Sequence, residues 1–535
     1  MFGLTSGFTG QTIDTMGNTV TTADGTPIQI GPDDHLWVLK SSSDVSLYGS
    51  LVNIGGMVGA FVGGPLIDTF GRKWCLIGCS PCFILLYLWQ ALAHTSWQLL
   101  FNRVLVGIVV GVESVAGPTY IGEASPTKIR GALGAANQLS TTIGILIAYA
   151  LGMGFRTAAG STDPNATSQT FCNWRDVSWI YLIPSGLLGI LVFLVPESPR
   201  WLAEHRGLDA AKKVLLRLHG TDENDPEVAE ELRAYEATVE AAKAKAGQTR
   251  KERFDDAMTG LRKYWIQVVI GVVLQICQQL SGINAVIFYQ TTIFQAAGIS
   301  NKETMALVSM AIQVVVTFIA CCIMDLAGRR VLLVIGATGM CISAWMLGLF
   351  FYLQDVTGLT NVGWLALASA YCYIAFFAIG VGAIPWLIMS EIFPNEVRGN
   401  AAAIATAVNW LFSFIVTMFL DDYRKAITYQ GVFWSFGFIC LVMIFFVLFF
   451  IPETKGKSFE EIEADFDRKY HTHHTNKTEQ PKEGSSSLEE SSGSSSSSDS
   501  SPSPISTSRA ATASPVATSR AVTSPVATSP AVTAK

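Results

Sequence analysis

The stretch GPLIDTFGRK at 64–73 closes one long apolar run and opens the next. At 325–330 DLAGRR does the same, 257 positions on (325 against 68). Two more pairs follow in the same order. Glu123 with Arg130-Gly131 returns as Glu391 with Arg398-Gly399, and Pro196-Glu197-Ser198 returns as Pro452-Glu453-Thr454, at offsets of 268 (391 against 123) and 256 (452 against 196). Charges bordering an apolar run are ordinarily flanking anchors, and one pair would need nothing more. Three ordered pairs at nearly one offset predict a duplicated helix bundle. Parallel repeats of this kind mark carriers whose site lies between the two repeats near the membrane midplane.

Composition agrees with membrane burial. Hydrophobic residues make up 50% of the 535 and charged ones 15%, against about 25% charged in soluble domains. The net charge of −6 argues against nucleic acid as a partner. The ten cysteines are scattered, many within apolar runs (Cys75, Cys79, Cys82, Cys277, Cys321, Cys322). Their spacing suits neither a metal site nor a disulfide framework, so no metal or cofactor is expected. No nucleophile–base pair or phosphate loop is evident, which sets a membrane enzyme aside. The N-terminus has no basic region leading into an apolar core, so no cleavable signal is expected.

The apolar runs predict an all-α membrane protein with helices at 45–67, 74–93, 98–121, 132–153, 177–195, 264–287, 303–325, 330–353, 364–389, 399–419 and 431–451. Each is long enough for a bilayer core, which takes about 20 residues, and lipid leaves helices as the expected elements. Gly55, Gly56, Gly59, Gly63 and Gly64 suit close helix packing. Two six-helix halves need a twelfth helix, and residues 1–12 read as the second part of one. At about 1.5 Å per residue they cross about half of a roughly 30 Å core, a first helix that reads as truncated.

The expected organisation is an N-terminal transmembrane half (1–199), a helical linker rich in both charge signs (200–262), a C-terminal half (263–456), a charged segment (457–474) and a Ser/Pro/Thr-rich disordered tail (475–535). Arg72-Lys73 and Arg329-Arg330 place the linker side in the cytoplasm. Asn165-Ala166-Thr167 is a glycosylation sequon in a polar loop between two apolar runs. The repeated charges Asp68, Arg72, Glu123, Arg130, Glu197, Asp325, Arg329, Glu391, Arg398 and Glu453 are expected to pair across helices and hold an inner gate shut.

GPLIDTFGRK (64–73), PTYIGEASPTKIRGALGAANQ (118–138), PESPRWL (196–202), QQLSGINAVIFY (278–289), DLAGRR (325–330), GAIPWLIMSEIFPNEVRG (382–399), NW (409–410) and PETKGKSFEEI (452–462) together resemble the sugar porter family of the major facilitator superfamily, almost to residue 466. The resemblance implies the major facilitator fold and a facilitative, glucose-transporter-like carrier. It implies sugar-binding roles for Gln138, Gln278, Gln279, Asn284, Trp386, Asn409 and Trp410, with Tyr289 and Gln313 as further candidates. Carboxamides suit a hexose, because one group offers both donors and an acceptor, and an unpartnered buried hydroxyl costs about 1–3 kcal/mol. Departures from the family pattern fall at Ala378, where many facilitative glucose transporters carry Glu, and at Gln313 and Ser413, where Asn is common.

Proton-coupled relatives set an Asp of the first helix near an Arg of the fourth. Here the Arg is Arg103, but the matching first-helix position is Thr5, which does not titrate near neutral pH. His94 stands at a helix end, and Glu113, within the fourth helix, is the remaining proton-linked candidate. Facilitated diffusion of a hexose is the first reading, proton-coupled sugar or polyol symport the second, and a non-transporting sugar sensor the third. The partners expected are a small sugar and the lipid bilayer, with the chain a monomer in the plasma membrane.

Overall fold

The computed structural model describes residues 1–16, 38–39, 42–125, 130–158, 170–220, 226–245, 249–299, 301–358, 362–394, 397–455 and 459–470. The sequon at Asn165 and the tail from 475 lie outside the described residues. So do the side chains of Arg130, Tyr289 and Asp325.

A first set of helices comprises α1 (Phe2–Met16), α2 (Ser42–Phe70), α3 (Arg72–Ala91), α4 (Ser96–Ala124), α5 (Arg130–Gly154), α6 (Trp174–Ile180) and α7 (Leu182–Leu194). The linker holds α8 (Pro199–Arg206), α9 (Leu208–His219), α10 (Pro226–Lys245) and α11 (Arg250–Lys263). A second set comprises α12 (Trp265–Leu280), α13 (Ile283–Ala296), α14 (Lys302–Ala327), α15 (Arg329–Thr357), α16 (Gly363–Phe376), a π turn at Phe377–Val381, α17 (Ile384–Ile392) and α18 (Arg398–Phe450), and α19 (Phe459–Tyr470) follows. Among the described residues nine helical spans are long and apolar enough to cross a membrane.

Each set buries its own apolar core. One packs Phe8, Tyr48, Phe83, Tyr87 and Trp174 among α1–α7, and Trp410 of α18 reaches into it. The other packs residues of α12–α19, and Tyr149 of α5 reaches into that one. Hydrogen bonds between the sets include Asn53 Nδ2 to Thr417 Oγ1 (3.1 Å) and the Tyr149 hydroxyl to the Ile287 carbonyl (2.5 Å). Both lie in the parts of these helices away from the linker.

The helices differ from the sequence expectation in four places. α1 runs on to Met16. The run expected at 264–287 continues to Ala296, bent at Gly282 (φ 90°). The polar gap expected at 420–430 stays helical up to Thr428, where the backbone of α18 breaks (φ 63°, ψ 172°). Local ion pairs hold that stretch, since Asp421 meets Arg424 at 2.5 Å and Lys425 at 2.6 Å one turn away. Finally, the polar loop carries a short antiparallel ribbon, β1 (Arg156–Ala158) with β2 (Thr170–Cys172), within an otherwise all-α membrane fold. The glycine run divides its work: Gly55 and Gly59 back onto α4, Gly56 faces the Trp410 ring, and Gly64 has open space before it.

Candidate functional site

The repeated motifs build two matching clamps at the linker end, one in each set. In the first, Arg72 opens α3 and meets Glu123 of α4 twice, Nη2 to Oε1 at 2.9 Å and Nε to Oε2 at 2.8 Å. Ser198 Oγ donates to Glu123 Oε2 at 2.6 Å, and Asp68 stands 3.4 Å from Arg72. In the second, Arg329 opens α15 and meets Glu391 of α17 at 3.3 Å, while Thr454 Oγ1 donates to Glu391 Oε2 at 2.6 Å. Each Glu-Ser/Thr pair thus fills the same role in its own set.

The remaining motif residues cap helix ends. Glu197 accepts the Lys73 backbone N–H at 3.0 Å, and Glu453 accepts those of Arg329 and Arg330 at 3.0 and 3.2 Å. A carboxylate there satisfies orphan donors and meets the positive end of the helix dipole. The motif glycines make the approach possible. Gly71 and Gly328 have φ of 93° and 90°, and a methyl on either would sit 2.4 or 2.9 Å from the capping carboxylate. The last motif cation closes the other kind of end: Lys73 Nζ donates to the Phe193 carbonyl (3.0 Å) and Arg330 Nη2 to that of Leu448 (2.5 Å), at the C-termini of α7 and α18. The pairs named here do cross helices, as expected, and each lies within one set. Arg398 stands at the start of α18. It donates to the Phe393 carbonyl at 3.1 Å, and the arginine facing Glu391 is Arg329.

Four of the candidate sugar residues come together in the second set. Gln279 Nε2 donates to Asn409 Oδ1 (3.0 Å), and Asn284 Nδ2 donates to Gln279 Oε1 (2.7 Å) and Ser413 Oγ (2.8 Å). Asn409 Nδ2 donates to Gln278 Oε1 (2.9 Å) and to Gln275 Oε1 (2.8 Å). Gln275, Gln278, Gln279 and Asn409 are buried, and Asn284 is half-buried. Asn284 Oδ1 receives no hydrogen bond among the described residues, which makes it the open acceptor of the network.

Gln278 has a second task. Val381 closes the π turn, and its carbonyl would pair with residue 385 in a regular helix. That residue is Pro385, which has no N–H. Gln278 Nε2 supplies the missing donor, at 2.7 Å from the Val381 oxygen and 3.1 Å from that of Gly382. Without it a backbone carbonyl inside the membrane would go unpaired.

The other candidates stand apart from this network. Gln138 on α5 is half-buried and makes no side-chain hydrogen bond among the described residues. Gln313 on α14 is buried, and its Oε1 has no hydrogen-bond partner among the described residues. Trp386 is half-buried against the second core. Trp410 packs on Phe2 with ring centroids 5.5 Å apart. Gln275 was missed from the sequence, although Gln275, Gln278 and Gln279 follow the i, i+3, i+4 spacing of one helix face.

Arg103 is fully buried in the first set. Its Nη2 donates to the Thr5 carbonyl (3.3 Å) and to Thr9 Oγ1, and its guanidinium lies 4.9 Å from the Tyr48 ring centre. Thr5 Oγ1 and the Tyr87 hydroxyl are 2.7 Å apart. Among the described residues no carboxylate stands within ion-pair distance of Arg103. Glu113 instead accepts from the Met1 amino group at 3.1 Å.

The arrangement matches known carriers along almost its whole length. The family described as Sugar (and other) transporter matches residues 1–466. The chain is 37% identical over 429 residues to sugar transporter ERD6-like 6 of Arabidopsis thaliana, covering 79% of this chain and 82% of that one. It is 35% identical over 463 residues to the facilitated trehalose transporter Tret1 of Polypedilum vanderplanki, covering 86% and 84%. Among solved structures, the proton:xylose symporter XylE bound to 6-bromo-6-deoxy-D-glucose aligns with a TM-score of 0.68 at 28% identity, over 86% of this chain and 95% of that one. The inward-open xylose transporter XylE of E. coli aligns with a TM-score of 0.64 at 27% identity, over 86% and 96%. With its duplicated clamps, its membrane helices and this extent of similarity, the chain belongs to the sugar (and other) transporter family, with the major facilitator fold.

Proposed function

We propose that this multi-pass membrane sugar transporter, which is not an enzyme, carries a hexose such as glucose by facilitated diffusion and alternating access. The observation that carries the reading is the neutral carboxamide network with Asn284 Oδ1 open at its edge. Hydroxyl groups of a sugar can replace its internal hydrogen bonds one for one, so binding leaves few polar groups unpaired, and the absence of charge eases release. Gln279, Asn284 and Asn409 are the proposed sugar contacts, with Gln138, Gln313, Trp386, Trp410 and Tyr289 as further lining. Relatives named for trehalose and for xylose make a disaccharide or a pentose the alternatives to test beside glucose. The clamps are proposed to keep each half rigid while the halves rock, and the domain limits are those of the sequence reading. The protein is proposed to act as a monomer in the plasma membrane.

The buried Arg103, which has no acidic partner among the described residues, favours uniport over symport, because the group that would exchange a proton beside it is a threonine. The test is counterflow of labelled glucose, trehalose and xylose into liposomes holding the purified chain, with and without an imposed proton gradient. Exchange of glucose that ignores the gradient is the expected result. Accumulation that follows the gradient, or binding without exchange, overturns the uniport reading.

A further inference from the structure

We infer a second, peripheral saccharide site at the end of the C-terminal set remote from the linker. It rests on the family's sugar substrates but not on the central network. A cavity of about 460 Å³ opens there between the C-terminal end of α15 and the break in α18. That volume falls within the roughly 300–1,000 Å³ of small-molecule sites.

The lining has the chemistry of a site for a neutral polyhydroxylated ring. Phe351 and Tyr429, stacked on each other at 4.8 Å, supply the apolar part of the lining. Around it stand planar groups able to bridge neighbouring hydroxyls: Gln354, the Asp355 carboxylate, the Arg424 guanidinium and the Gln430 carboxamide. Arg424 is neutralised by Asp421, with two nitrogens 3.1 and 2.5 Å from Oδ1, and lies 5.1 Å from the Tyr429 ring centre. Gln430 Nε2 donates to Asp355 Oδ2 at a long 3.4 Å, and no cation pairs with Asp355 among the described residues.

Other ligands fit less well. A free anion would face the negative Asp355 carboxylate. A metal ion finds no group of three ligating side chains among the described residues. A wholly apolar molecule would shield the Asp355 carboxylate and the Arg424 guanidinium from water with no polar contact in return.

The backbone adds a separate sign. Thr428 is the one non-glycine residue with positive φ among the described residues (φ 63°, ψ 172°). That region is essentially reserved for glycine, and such outliers cluster at ligand sites. The break it makes turns α18 so that Thr428, Tyr429 and Gln430 all border the cavity.

Saturation-transfer NMR with D-glucose and with trehalose, on the full chain in lipid nanodiscs, tests the site. In Asn284→Ala protein a saturable signal is expected to persist. Adding Asp355→Ala and Gln430→Ala should weaken that signal about ten-fold, as expected for losing hydrogen bonds worth about 1–2 kcal/mol in all. Asp422→Ala, an exposed carboxylate outside the cavity, should leave it unchanged. A signal indifferent to Asp355→Ala and Gln430→Ala, or none in the Asn284→Ala protein, overturns the site. The same two substitutions in the otherwise native chain should remove one of two saturable components. Unimpaired counterflow by Asn284→Ala would instead overturn only the central reading.

Discussion

The clamps and the carboxamide network are built on opposite plans. The clamps are ionic, lie at the membrane border and occur twice, with the same residue types at nearly the same offset. The network is neutral, lies inside one set and has no counterpart among the repeated motifs. The contrast separates mechanics from selectivity. A duplicated frame can rock as two similar bodies, whereas recognition of an asymmetric sugar gains nothing from symmetry and is concentrated in α12, α13 and α18.

The two clamps are not equal, and the largest expected effect tests that. Arg72 and Glu123 meet twice, and their side chains are 8% and 11% exposed. Arg329 and Glu391 meet once, at 12% and 19%. Removing one partner of a buried pair costs about 3–5 kcal/mol. Glu123→Ala should therefore lower the unfolding temperature in detergent more than Glu391→Ala. The reverse order would mean that α19 and the Thr454 hydroxyl matter more than the second ion contact.

The network should respond in the other currency. Asn284→Ala and Gln279→Ala are expected to reduce liposome counterflow about 10–100-fold, the loss of one or two sugar hydrogen bonds in the transport cycle. Their thermal stability should scarcely move, since an interhelical hydrogen bond in a bilayer averages about 0.6 kcal/mol. Gln278→Ala is expected to impair both, because it also strands the Val381 carbonyl at a cost of about 1–3 kcal/mol. Equal stability of the Gln278 and Asn284 variants would remove the structural role given to Gln278.

A further substitution probes the charge asymmetry around Arg103. Thr5→Asp sets an ionisable group beside a guanidinium that has no carboxylate next to it among the described residues, and counterflow should become sensitive to a proton gradient. Insensitivity would show that an acid at this position is not enough for coupling.

The smallest effect belongs to the extra support of the second clamp. Lys469 Nζ and the Tyr470 hydroxyl of α19 donate to the Phe449 and Phe450 carbonyls at 2.7 and 2.8 Å, closing the exposed end of α18. Lys469→Ala should lower stability by only about 0.3–1 kcal/mol, as for other cations at helix C-termini, with transport unchanged. A larger loss would make α19 an integral part of the second set.

Much of this architecture is legible from residues alone. Hydrophobic runs of bilayer length give helices because lipid accepts no open backbone, and the offset of the DTFGRK and DLAGRR motifs gives the duplication. The Gln278, Gln279 and Asn284 stretch marks the network, since carboxamides inside an apolar helix are costly unless they have partners. Tertiary structure decided who those partners are. Glu391 and Arg398 recur as one motif in the sequence, yet Glu391 meets Arg329, because helix ends distant in the chain converge where α15 and α17 pack. Gln278 serves the Val381 carbonyl because Pro385, more than a hundred residues later, lacks the N–H that would have done so. Thr428 takes a glycine-like backbone for which no local residue pattern asks, since the packing of α18 on both sides fixes its direction. Sequence fixes which groups are polar, charged or kinked, while pairing depends on which surfaces the fold presses together, and that is a property of the whole chain.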